Sequence, residues 1–282
     1  MFERISRSIE LVKMSWRILM EDKKLLVFPI LSGIVMLIVI ATFILPLIFS
    51  KGAFSLETNS ITGIILLFLF YLVSYFVVIF FNVGLISCVY AKLQGNAMTV
   101  GGGLAAAGKH LGSILAWAII AATVGLILRL IEDREGTIGQ IVGGLVGGVW
   151  SLITMFVVPV LVFEDRGVFD AMKGSLGLFK KTWGESAVGS LSIGLVFVAI
   201  GIIGFLLMLA TLLLNDILVF FAAVAIYVVL IAILAILASA MQGIFVVALY
   251  IYAKTGQVPP VFNRDLVEGA FTPRSQKFGG TI

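Results

Sequence analysis

From Ile61 to Ala91 the chain runs 31 residues without a charged side chain. A helix of about 20 apolar residues crosses the roughly 30 Å hydrocarbon core of a bilayer, so this run alone is long enough to span one. Five more uncharged runs accompany it: Leu25 to Phe49, Leu111 to Leu128 with an extension to Ile131, Gln140 to Phe163, Ser186 to Asn215, and Ile217 to Ala253. Membrane strands alternate polar and apolar residues, whereas these runs are apolar on every side. Helices satisfy their own backbone groups in lipid, and a helical reading follows. Composition agrees, with 61% hydrophobic and 12% charged residues where soluble domains carry about 25% charged.

The expected architecture is all-α: a polytopic bundle of six spans at about 25–49, 61–91, 111–131, 140–163, 186–215 and 217–253. Residues 1–24 precede the 25–254 membrane domain, and 255–282 form a tail. The first apolar run is too long for the 7–15-residue core of a cleavable signal, so the first span is expected to be retained. Only Asn215 and Asp216 separate the last two runs, which implies an antiparallel hairpin. The last run would be about 55 Å long at 1.5 Å per residue. It must tilt, bend or project into water, and the one place for a turn is Gln242 with Gly243.

Basic residues set the expected orientation. With both ends cytoplasmic, the inner segments hold Arg4, Arg7, Lys13, Arg17, Lys23, Lys24, Lys92, Lys109, Arg166, Lys173, Lys180, Lys181, Lys254, Arg264, Arg274 and Lys277. The outer side keeps Lys51, Arg129 and Arg134, completing the 19. That imbalance is a strong positive-inside pattern.

Three inner segments have helical patterns of their own. Phe2, Ile5, Ile9, Val12, Trp16 and Leu19 recur at intervals of three and four with Arg4, Lys13 and Arg17 off that face, the pattern of an interfacial amphipathic helix. A second covers about 168–183, with Asp170 near its start and Lys180 and Lys181 near its end, an order that suits the helix dipole. A third, glycine-rich, covers 99–110. The second and sixth spans end on Tyr90-Ala91-Lys92 and Tyr252-Ala253-Lys254, which hints at an internal repeat of span, turn and surface helix.

Chemistry is thinly supplied. Gly103 to Lys109 fits G-x-x-x-x-G-K, but His110 replaces the hydroxyl that would ligate magnesium, and the loop follows a membrane helix instead of a strand. Nucleotide binding is not expected, nor is nucleic-acid binding, given 15 acids beside 19 bases. One histidine and one cysteine, Cys88, give no basis for a metal centre, a disulfide or a nucleophilic triad, so no cofactor and no enzymatic activity are expected. Arg129, a turn from Glu132, reads as an arginine snorkelling to the interface.

Uncharged polarity inside the spans marks packing or a solute path: Asn82, Gln140, Thr154, Ser190, Ser192, Ser239 and Gln242. Gly143-Gly144 and Gly147-Gly148 form two overlapping G-x-x-x-G pairs, a signal for close helix contact within the chain or between copies. Pro159 is expected to bend the fourth span.

Five stretches resemble a family of bacterial and archaeal polytopic membrane proteins classed as a domain of unknown function. They are Ser8-Ile9-Glu10-Leu11-Val12-Lys13 through Trp16, Leu26-Val27-Phe28-Pro29, Val157-Val158-Pro159-Val160-Leu161-Val162, Phe179-Lys180-Lys181-Thr182-Trp183-Gly184-Glu185, and the tail from Gly256 to Phe271. The resemblance implies a six-helix membrane domain and assigns no reaction, cofactor or substrate.

The expected function is a non-enzymatic scaffold or assembly factor. Its cytoplasmic face, carried by Arg4, Arg7, Lys13, Arg17, Lys173, Lys180 and Lys181, would engage anionic lipid headgroups or partner proteins. The alternative is a homo-oligomeric channel or facilitator for a small polar solute, lined by residues such as Asn82 and Gln242.

Overall fold

The computed structural model describes residues 15–49, 60–214 and 216–256, which are helical with no strand among them. The chain divides into two compact units, a central one (Asp22–Lys181) and a terminal one that joins Met1–Glu21 to Thr182–Ile282. Among the described residues, six helical segments are long and apolar enough to cross a bilayer: Lys23–Pro46, Ile61–Leu93, Leu111–Glu132, Gly139–Phe163, Ile193–Leu214 and Ile217–Thr255. Six is the number that the uncharged runs predict.

In the central unit, the Asp22 carboxylate accepts from the Lys24 amide (3.3 Å) at the start of a 3₁₀ turn, Lys23–Leu26, that leads into α1 (Val27–Phe49). Pro29 falls in the first turn of α1, where a missing N–H costs nothing. Helix α2 (Ile61–Leu93) begins on a Ser60 cap, its hydroxyl accepting from Gly63 N at 3.0 Å. Aromatic side chains make α2 the axis of this unit. The Phe70 ring meets Phe43 of α1 edge-on at 5.5 Å, and Tyr90 stacks at 4.2 Å on Phe163 of a later helix.

Where α1 begins, Phe28 is buried between two glycines. One is Gly84 of α2; the other is Gly103 of α3 (Val100–Lys109), a short helix capped by Thr99. A methyl group on Gly103 would lie 2.7 Å from Cys88 Sγ, from the Gly84 carbonyl oxygen and from Phe28 Cζ. The absence of a side chain there is what lets α3 lie directly on α2.

Helical hydrogen bonding runs through α4, Leu111–Thr154. In a straight helix Trp117 and Trp150 would be about 50 Å apart, yet their rings stack at 6.0 Å. A methyl on Gly147 would sit 3.6 Å from Leu128 Cδ1, and one on Gly143 would meet the Glu132 side chain. The chain therefore doubles back between these pairs, and two antiparallel spans replace one rod. On the first arm, a Cβ at Gly125 would come within 3.2 Å of the Tyr75 hydroxyl of α2.

The second arm breaks at Met155 and Phe156 before α5 (Val157–Phe163). Pro159 explains the position. It has no N–H for the Met155 carbonyl, and its ring clashes with that carbonyl in a continuous helix. The buried Ser175 hydroxyl bridges the break, accepting from Phe156 N (3.1 Å) and donating to the Ile153 carbonyl (2.6 Å). Ser175 belongs to α6 (Val168–Ala210), whose backbone leaves helical geometry at Thr182 (φ −123°, ψ 23°). The sequence reading separated a surface helix from the next span here. No proline stands between Lys180 and Ser192 to remove a donor, so helical bonding resumes after one irregular residue.

In the terminal unit, α6 beyond Thr182 and α7 (Ile217–Thr255) form an antiparallel hairpin closed by a 3₁₀ turn, Thr211–Leu214. Gly201 faces Ile231, Gly204 faces Leu230, and the Phe205 and Tyr227 rings lie 5.8 Å apart, a constant register along both helices. Helix α7 is one element, with no break at Gln242 and Gly243, and ends on Gly256 in the left-handed conformation (φ 68°). Its first half exposes Leu218 by 77% and Ile226 by 71%. Side chains so apolar and so exposed have hydrocarbon as their solvent.

Candidate functional site

At one end of the central unit, polar and charged side chains from several elements lie together. The ring stack of Tyr90 on Phe163 brings the last turn of α2, with Lys92, to the end of α5. The Phe28 wedge brings the Lys23–Leu26 turn against α2 and α3. His110 joins α3 to α4, and its Nδ1 lies 4.0 Å from the carboxylate of Asp165 in the loop between α5 and α6. That loop is turned by Asp165 in the left-handed region (φ 49°) and flanked by an Arg166–Glu164 ion pair at 3.0 Å.

The first part of α6 projects from this loop with two distinct faces. Val168, Ala171, Ser175, Leu178 and Thr182 are buried at intervals of three and four. Phe169, Lys173, Gly177, Lys180 and Lys181 are exposed. Phe169 is 73% exposed, and Lys173 and Lys180, two turns apart, lie in line with it. No described residue forms an ion pair with Lys173 or Lys180. An exposed aromatic beside open ammonium groups is the side-chain set found where a helix meets lipid headgroups.

Other predicted residues fall elsewhere. Arg4, Arg7 and Lys13 lie outside the described residues, as do the tail and Lys51. Arg17 is exposed in the terminal unit and Trp16 is 41% exposed beside it, while Ile18 and Leu19 are buried. A tryptophan suits that position, since its ring is amphipathic and favours an interface.

The polar residues within the spans divide between the two units. Asn82 and Gln140 are exposed in the central unit, and Thr154 donates to the Trp150 carbonyl of its own helix at 2.7 Å. Ser239 is exposed and Gln242 half-buried on α7 of the terminal unit. The side chains of Ser190 and Ser192 lie outside the described set. Of the glycine pairs, Gly143 and Gly147 pack on the chain's own first arm, while nothing comes within 4 Å of a methyl built on Gly144 or Gly148. No cluster of three or more metal-ligating side chains occurs among the described residues.

Six long apolar helices with a polar, basic end define a multi-pass membrane protein. Residues 61–259 match DUF6159, a family of unknown function, and the chain belongs to that family. No curated protein and no solved structure matches it.

Proposed function

We propose that the protein is a non-enzymatic membrane scaffold whose basic end engages anionic headgroups of the inner leaflet, and through them or beside them a partner protein. The reading is supported above all by the first part of α6, whose buried stripe fixes Phe169, Lys173, Lys180 and Lys181 on one open face. Each lysine near an anionic leaflet contributes about 1 kcal/mol, and together they would hold the helix at the headgroup level. The Ser175 bridge supports this reading by tying the buried stripe of α6 to the break between α4 and α5.

Native mass spectrometry of the detergent-solubilised chain, titrated with phosphatidylglycerol and with phosphatidylcholine, tests the proposal. The parent should retain phosphatidylglycerol preferentially. The triple substitution Lys173→Glu, Lys180→Glu and Lys181→Glu should lower that preference at least tenfold. An unchanged preference would refute a headgroup role for this face.

A further inference from the structure

We infer that the exposed stretch of α6 around Gly177 seats a phosphomonoester, the terminal phosphate of a lipid of the phosphatidic acid type; this rests on the headgroup reading above and narrows it to one headgroup class. A methyl built on Gly177 meets nothing within 4 Å, so the glycine leaves a gap in the exposed face of the helix. Lys180 and Lys181 follow it by three and four residues, about one turn along. Side chains on a helix lean toward its N-terminus, so both lysines reach back over the gap, one on each flank. Both are exposed, and no described residue forms an ion pair with either. Asp170, the acid near the start of α6, is two turns before Gly177, about 10 Å away along the axis.

This arrangement selects charge and shape together. A phosphodiester headgroup such as that of phosphatidylglycerol carries one negative charge and has two of its oxygens esterified. A phosphomonoester has its second ionisation near pH 6, so at pH 7 it carries about −1.5 to −2 charges on three acceptor oxygens. Two ammonium groups converging on one gap match the second species. Each brings three N–H donors, and hydrogen bonds to the charged form favour it further. With a single substituent, the monoester enters end-on, its three oxygens toward the helix. Only a residue without a side chain leaves room for that approach.

The setting of α6 selects the source of the phosphate. A methyl on Gly174 would lie 3.1 Å from Val160 Cγ1, and Ser175 is bonded to Ile153 and Phe156. Those three residues belong to the candidate span Gly139–Phe163. The stretch that carries Gly177 is thus packed against the end of a membrane helix, where phosphate arrives attached to lipid.

Native mass spectrometry of the detergent-solubilised full chain, offered equal amounts of phosphatidic acid and phosphatidylglycerol with identical acyl chains, provides the test. The parent should retain phosphatidic acid at least fivefold over phosphatidylglycerol. Gly177→Leu, and separately Gly177→Met, fill the gap while keeping every lysine, and should bring that ratio within twofold of one. Both replace a helical glycine in open space with a better helix former, so helix content should be retained. A parent ratio near one, or a ratio undiminished by the filling substitutions, would overturn the inference. Displacement of phosphatidic acid by about 10 mM inorganic phosphate would overturn the lipid source. The preference for phosphatidylglycerol over phosphatidylcholine is read from the same samples and should survive both substitutions. Its absence in the parent would count against the headgroup reading itself, so the two failures are told apart.

Discussion

Ser175 and Phe156 are joined across the break between α4 and α5: the Phe156 amide donates to the Ser175 hydroxyl, which in turn donates to the Ile153 carbonyl. Proline chemistry creates the break, and a side chain nineteen positions later closes it. Ser175→Ala would leave two backbone groups without partners in a buried site. The expected loss is about 1–3 kcal/mol of stability, read as a lower denaturation midpoint in detergent. A variant indistinguishable from the parent would mean that the hydroxyl is not needed there.

Two glycines of α3 should respond oppositely to the same substitution. At Gly103 a methyl would press on two neighbours that cannot yield easily, the Gly84 carbonyl and the Cys88 sulfur, as well as on the Phe28 ring. Overpacking of this kind costs about 1–3 kcal/mol. At Gly108 nothing lies within 4 Å, so alanine should be neutral or stabilise by up to about 1 kcal/mol through helix propensity. Thermal melts of Gly103→Ala and Gly108→Ala make the comparison. Equal effects would contradict the packing of α3 on α2.

The spans were legible because charge is absent from them, and the hairpin at Asn215 and Asp216 because so little polar chain separates two long runs. The rotation of each span was not. A helix that is apolar all round carries no stripe to mark its inward face, so the outward placement of Asn82 and Gln140 could not be read from their positions. Nor could the Gly84–Phe28–Gly103 wedge, which joins three elements distant in sequence. The reverse holds for α6. Its Val168, Ala171, Ser175 and Leu178 stripe follows helical periodicity, and Lys173 and Lys180 fall opposite it, because this segment mixes charge with apolar residues.

The bias of basic residues makes a topological prediction. Cys88, the one cysteine, is buried and should not react with polar maleimides. In a Cys88→Ser background, Lys109→Cys and Lys173→Cys should label only after the cell membrane is permeabilised. Leu213→Cys, 88% exposed in the parent at the tip of the terminal hairpin, should label in intact cells. Labelling of all three from one side would reverse or redraw the orientation.

Asp216 carries the start of α7. Its carboxylate accepts from Leu218 N at 2.9 Å and Val219 N at 3.3 Å, satisfying two amides that have no partner within the helix. At an interface some of that loss could be recovered from water, so the cap is worth about 0.5–2 kcal/mol. Asp216→Ala should accordingly speed hydrogen exchange at the Leu218 and Val219 amides by about two- to thirtyfold in micelles, the same free energy expressed as a rate ratio. Asp216→Asn should stay close to the parent, since an amide oxygen caps nearly as well and loses only the charge facing the helix dipole. Unaltered exchange in Asp216→Ala would show that the hairpin does not rely on this residue to begin its second helix.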